Sequence, residues 1–439
     1  MIKRWIFALA LALCLLPAVP ARAAESGVTV TVQDGYRCDY GVDIPFTPSP
    51  RTSRYTFALY EGGSVSVVPE VSAEVTIASA GTVHLPLRYD LSGPSTWTLC
   101  VTAHPLPGRE AFDREASATK VFTTAPTCGC PAGTAGAYYA GKGTAASPYR
   151  VADGRQLAHL GAHLSACFLQ AEDISLSGSW TPIGTFKGVY DGGGHVINNL
   201  QVATSGKAGL FESTDGATIR ALGIAGSSSI VGTSSAGAFA AEANATQISE
   251  CFAVASVRTD AYNSVCGGLI GKGTHRNRLN NCYFTGSLSN TRAYNAPFMG
   301  GLMGIALTET GGTPPVITGC YTAADFAFYV TGYQYGLGSL VGSLSMRTGS
   351  GWGAGTIQSS GNYWLTGTAG CPAYAVGDFS NGQGHNPSSP GAAGLSSLAS
   401  LPSGFDPNVW TTGSYRRPTQ GGGWETVSAP VLKVFQDNS

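Results

Sequence analysis

The hydrophobic and polar positions of residues 208–364 fall into one short phrase, two small residues then two apolar ones, that occurs five times. Its copies are Ala208-Gly209-Leu210-Phe211, Ala236-Gly237-Ala238-Phe239, Gly267-Gly268-Leu269-Ile270, Gly300-Gly301-Leu302-Met303 and Gly338-Ser339-Leu340-Val341. Their second residues, 209, 237, 268, 301 and 339, step by 28, 31, 33 and 38, a period that marks a solenoid. A second phrase follows each first one, anchored by Ile219, Ile248, Leu279, Ile317 and Ile357. The interval to that anchor runs 10, 11, 11, 16 and 18, which places loop insertions at 308–315 and 345–355.

Gly, Ser, Thr and Asn fill the spaces between the phrases, and apolar residues alternate at Cys282, Phe284 and Leu288, so the pattern predicts strands. One repeat cannot bury its own face, and stacking at about 4.8 Å gives a parallel β-helix. The three-residue offsets Ile248 to Cys251 and Leu279 to Cys282 predict corners at 249–250 and 280–281. Cys251, Cys282 and Cys320 then form an inward column of free thiols between Leu222 and Ser360. One place later, Phe252, Tyr283 and Tyr321 point outward, either as a stacking ladder or as a flat surface for sugar rings. Tyr262, Tyr294, Tyr329, Tyr333 and Tyr335 fall in connections between coils. Phe252, Tyr283, Tyr321, Tyr294 and Tyr333 are the candidate ligand-binding residues.

Upstream, residues 25–124 carry strand patterns at 28–32, 55–60, 65–68, 71–77, 83–88, 97–102 and 118–122, the size of a β-sandwich. By pattern this stretch resembles immunoglobulin-like or fibronectin type III-like modules, with Cys38 and Cys100 as a candidate disulfide. Residues 125–143 read as a linker, in which Cys128 or Cys130 is expected to pair with Cys167. A helix over 151–167, capped by Asp153 and apolar at Leu157, Leu160 and Leu164, is the expected N-terminal cap of the stack. His159 and His163 stand four apart, but Leu160 occupies the place of a metallopeptidase's glutamate, so no metal or cofactor is expected.

Lys3 and Arg4, the apolar run 5–16 and Ala21-Arg22-Ala23 predict a signal peptide over 1–23 and an extracellular location. Its removal leaves 22 of 25 basic residues against 26 acidic ones, a net charge of −4. That balance argues against nucleic acid, and no later run of about twenty apolar residues predicts a membrane span. Sixty glycines in 439 residues with 12% charged residues suit a rigid secreted β-protein.

Residues 143–149, Asp173-Ile174-Ser175-Leu176, Trp180-Thr181-Pro182-Ile183-Gly184, Phe186-Lys187-Gly188, Asp191-Gly192-Gly193-Gly194-His195 and Asn199-Leu200 resemble the entry region of GLUG-motif proteins, and the five phrases resemble GLUG repeats. The resemblance covers roughly 141–435. It implies a right-handed parallel β-helix over 144–439 and a place among secreted and surface proteins of bacteria, including adhesins and the non-catalytic part of IgA-specific metallopeptidases. The end of the chain looks like that family's closing coil, with a small capping helix at 395–401.

Many parallel β-helices cleave acidic polysaccharides with clustered or paired carboxylates. Here Glu212, Asp215, Glu242, Glu250, Asp260, Glu309 and Asp325 occupy non-equivalent places, and Asp191 and His195 lie where the resemblance places a structural turn. The expected function is therefore a non-catalytic surface or adhesion protein that binds a host or environmental glycan or a surface protein. The alternative is a polysaccharide-degrading lyase or glycosidase, for which carboxylates converging in one groove would speak.

Overall fold

The structure, a computed structural model, describes residues 41–48, 52, 54–76, 79–86, 95–108, 115–290, 292, 298–329, 336–348, 351–377 and 388–436. The signal peptide, the strand at 28–32, Cys38, Tyr294, Tyr333 and Tyr335 lie outside them. The chain divides into two compact units, Met1–Lys142 and Gly143–Ser439.

In the first unit, strands Val71–Thr76, Arg54–Glu61, Thr96–His104 and Ala116–Thr123 pair antiparallel in that spatial order, and Gly41–Phe46 pairs antiparallel with Gly81–Pro86. Alternation sends Tyr55, Phe57, Leu59, Trp97, Leu99 and Val101 into a core shared with Val42, Ile44 and Leu85. The expected strand at 65–68 is absent: residues 65–66 are irregular, 67–68 form bends, and Val67 is 99% exposed. Within the expected linker, Ala137, Tyr138, Tyr139 and Ala140 are buried.

The second unit is a parallel β-solenoid. Successive coils supply Phe211–Asp215, Ala240–Asn244, Ile270–Thr274, Met303–Glu309 and Val341–Thr348 to a seven-stranded sheet. They also supply Lys207–Ala208, Ser235–Ala236, Val265–Gly267, Phe298–Gly300 and Leu337–Gly338 to a five-stranded one. A third sheet of 16 strands carries the rest of each coil.

The second-phrase corners fall where the offsets place them. Glu250 and Asn281 have φ of +52°, and Ala221 and Gly319 repeat the turn at +47° and +64°. Two registers differ from the sequence alignment. Ala240, not Phe239, pairs with both Phe211 and Ile270 while Ala208 still pairs with Ala236, so the second coil carries one extra residue between these two rows. Ile317 pairs with Ser359, which moves Ile357 out of the anchor row and puts Asn362 rather than Ser360 above Cys320. Asn362 is 1% exposed, accepting from the Cys320 N–H at 2.9 Å and donating to the Ile317 carbonyl at 2.8 Å. A polar side chain with fixed partners takes the position of a thiol, which apolar matching could not find.

Residues 351–354 return antiparallel to Val341–Thr348, so the second insertion is a hairpin rather than a loose loop. The helix is shorter than its apolar spacing suggests. Gly154–His159 is α-helical, Leu160–Ala162 continues as a 3-10 turn, and Cys167 already begins a strand. Asp153 caps it as expected, accepting from Arg155 N and Gln156 N at 2.8 Å each. Residues 395–401 form no helix.

Close stacking makes one glycine essential. A Cβ on Gly268 would run into the Gly301 carbonyl of the next coil and the Phe284 ring. Gly268→Ala is expected to cost about 1–3 kcal/mol or more, whereas Gly184→Ala, with nothing within 4 Å, should be close to neutral. Urea midpoints of the two variants check this.

Candidate functional site

Phe252, Tyr283 and Tyr321 stand in register on three adjoining strands, Phe252–Thr259, Tyr283–Asn290 and Tyr321–Phe328. Their rings stack with centroids 4.9 Å apart at each step and interplanar angles of 5° and 8°. The column is not open to solvent: the three residues are 8%, 3% and 0% exposed. Of the two readings of this column, the geometry matches the stacking ladder and not a free aromatic face.

The cover is an antiparallel hairpin, Trp410–Pro418 with Trp424–Leu432. Together with Phe405, its residues Trp410, Tyr415, Ala429 and Leu432 pack on the ring column. The Tyr321 hydroxyl donates to the Pro430 carbonyl at 2.7 Å, and the Trp410 indole N–H reaches Asn281 Oδ1 at 3.4 Å. Burial pushes the Tyr283 and Tyr321 phenols well above their usual pKa. At the Phe252 end a recess of about 380 Å³ remains, lined by Val196, Phe252, Tyr283, Arg416 and Phe435.

Farther along the hairpin, the buried Arg417 guanidinium donates to Glu425 at 2.6 Å, the Ala323 carbonyl at 2.8 Å and Asp325 at 3.2 Å. Asp325 also accepts from the backbone N–H groups of Ala369 and Gln420 at 3.1 Å each. Sequence reading missed both the hairpin and this pair. The alternating strand after Trp410 was a usable signal for the hairpin; nothing marked Arg417 as buried.

Of the remaining candidates, Cys100 is half-buried on Thr96–His104 beside the Thr102 hydroxyl, and its proposed partner Cys38 lies outside the described residues. Tyr294 and Tyr333 lie outside them as well, while Tyr262 and Tyr329 in neighbouring connections are 64% and 48% exposed. Cys167 is a free thiol, which corrects the expected disulfide to it. Cys251, Cys282 and Cys320 are fully buried free thiols, with Sγ atoms 3.1, 3.2 and 3.3 Å from the carbonyls of Ser249, Asn280 and Thr318. Burial holds Cys251 and Cys320 far above the ordinary thiol pKa, so neither is a nucleophile.

Four acids of the stack are matched with bases. Asp191 pairs with Arg220 at 2.7 Å, Glu242 with Lys207 at 3.0 Å, Asp260 with Arg258 at 2.7 Å and Asp215 with Lys187 at 3.5 Å. A bond from Asn244, with help from Lys187, holds the Asp215 carboxyl below the usual carboxylate range. Asp191 also accepts from Gly193 N at 3.0 Å, which ties it into the turn it occupies. His195 turns instead toward Asp173, at 3.3 Å.

A larger concavity lies beside the helix Gly154–His159. Asp153, Arg155, Ala158, Leu176, Trp180 and Thr181 line a cleft of about 550 Å³, with Ser175, Ser177 and Ser179 around it. The Trp180 indole N–H donates to the Leu210 carbonyl at 3.1 Å, which fixes the ring. Arg155 is clamped to Asp153 Oδ2 at 2.9 Å. The cleft therefore combines a fixed aromatic ring, a charged donor–acceptor pair and a row of hydroxyls. Trp180 belongs to the entry pattern read from the sequence, but only the folded chain brings it beside Arg155. Among the described residues no helix is long and apolar enough to cross a membrane. No family model matches the chain, and no curated protein matches it.

Proposed function

We propose that this protein is a non-catalytic, secreted glycan-binding module, a right-handed GLUG-type β-helix behind an immunoglobulin-like or fibronectin type III-like domain, serving attachment at a bacterial surface. The observation that carries the reading is the Trp180 cleft. A fixed indole presents an apolar face to a sugar ring, while Arg155, Asp153 and the surrounding hydroxyls meet sugar hydroxyls. The ion-paired acids support the non-catalytic half of the proposal. A glycosidase needs two carboxyls about 5–9.5 Å apart flanking the bond, whereas Asp191, Asp215, Glu242 and Asp260 each face a Lys or Arg.

Affinity electrophoresis of the purified protein on a panel of host and plant polysaccharides, with mass spectrometry of the same sugars, tests both halves. Retention without chain shortening is expected, and Trp180→Ala should weaken it about tenfold, or about 1.4 kcal/mol. Shortening of any sugar would overturn the non-catalytic reading. Undiminished retention by Trp180→Ala would remove the cleft from the account.

A further inference from the structure

The short helix and the turn after it carry two imidazoles that do not line the cleft. His159 ends the α-helical turn, and His163 closes the 3-10 turn that follows, so four-residue spacing brings them to one face. Their ring centroids are 5.1 Å apart at an interplanar angle of 60°, and the nearest ligand nitrogens lie within 4.8 Å of each other. We propose that His159 and His163 together chelate one divalent d-block cation, zinc above all.

Three features support this. With Zn–N bonds of about 2.0–2.1 Å, tetrahedral geometry sets the two nitrogens about 3.4 Å apart. The rings need close by only about 1.4 Å from the observed limit, a matter of side-chain torsion with the backbone left in place. Leu157 and Leu160 are fully buried and hold the turn, so the chelate is presented by an anchored element. Both imidazoles are only half-buried, so an ion can reach them from solvent.

The chemistry is binding rather than hydrolysis, because Leu160 follows His159 where a metallopeptidase places its base. Two imidazoles leave further coordination positions for other donors. A metal held across the α and 3-10 turns would pin the cap of the solenoid in its folded form.

The full-length protein, stripped with a chelator and dialysed against zinc, should take up one ion per chain, with a melting temperature several degrees above that of the stripped form. His159→Ala/His163→Ala should bind at least tenfold more weakly and lose the zinc-dependent shift, and the same is expected of His159→Gln/His163→Gln, which keeps side-chain volume. Far-UV circular dichroism on both variants separates lost ligands from a lost fold. Absence of zinc uptake by the wild type would overturn the proposal. So would unchanged uptake by the histidine variants, including the case in which only Cys128→Ser/Cys130→Ser abolishes it.

Discussion

Tyr321→Ala is expected to destabilise the protein by about 3–5 kcal/mol, the range for removing a large aromatic from a packed core. The ring is fully buried, stacks on Tyr283 at 4.9 Å, and contacts Phe405 and Trp410 at centroid distances of 6.2 and 5.8 Å. Tyr321→Phe should cost less, about 1–3 kcal/mol, because it keeps the stack and removes the hydroxyl that bonds the Pro430 carbonyl. Urea denaturation of the two variants separates packing from hydrogen bonding. A ring serving as a free sugar platform would give the opposite pattern, with lost retention and unchanged stability. A loss below about 1 kcal/mol for Tyr321→Ala would contradict the buried ladder.

The second large effect is expected at Arg417. Removing one partner of a buried ion pair leaves the other charge desolvated, at a cost of about 3–5 kcal/mol. The Arg417 and Asp325 side chains are only 5% and 6% exposed, while Glu425, at 46%, can turn to water. Arg417→Met should therefore strand Asp325. Adding Asp325→Asn should recover part of the loss, since it buries no charge and its one amide oxygen can still accept from Ala369 N or Gln420 N, which bond to different oxygens of the carboxylate. A double variant no better than the single would show that Arg417 acts through its bond to the Ala323 carbonyl rather than through the charge pair.

These two residues also show how far the sequence could be read. The coil corners were legible because an offset of three residues is incompatible with one straight strand, and Glu250 and Asn281 turn there with positive φ. The outward direction of Phe252, Tyr283 and Tyr321 was legible from alternation. Their burial was not, because the cover arrives from Phe405–Leu432, whose contacts carry no local periodicity. Apolar matching misplaced Ile357, since the next coil keeps its register through Ser359 and Asn362. The candidate site was legible only in parts: Trp180 and Asp153 were visible as motif and cap, but their meeting depends on the path of the chain. His159 and His163 were dismissed because a peptidase signature was incomplete, yet two imidazoles can hold an ion without a catalytic base.

The hairpin also sets an order of events during synthesis. Each coil can settle on the one before it within some 28–38 residues of emerging chain. The Tyr321 hydroxyl, however, waits 109 positions for Pro430, and Asp325 waits 92 for Arg417. Until residues 410–432 leave the ribosome, the column Phe252, Tyr283 and Tyr321 is an uncovered aromatic stripe on a growing stack. At about 5–20 residues per second, that leaves several seconds in which a nascent chain can stick to its neighbours. A chain cut before Trp410 would carry the stripe for its whole lifetime.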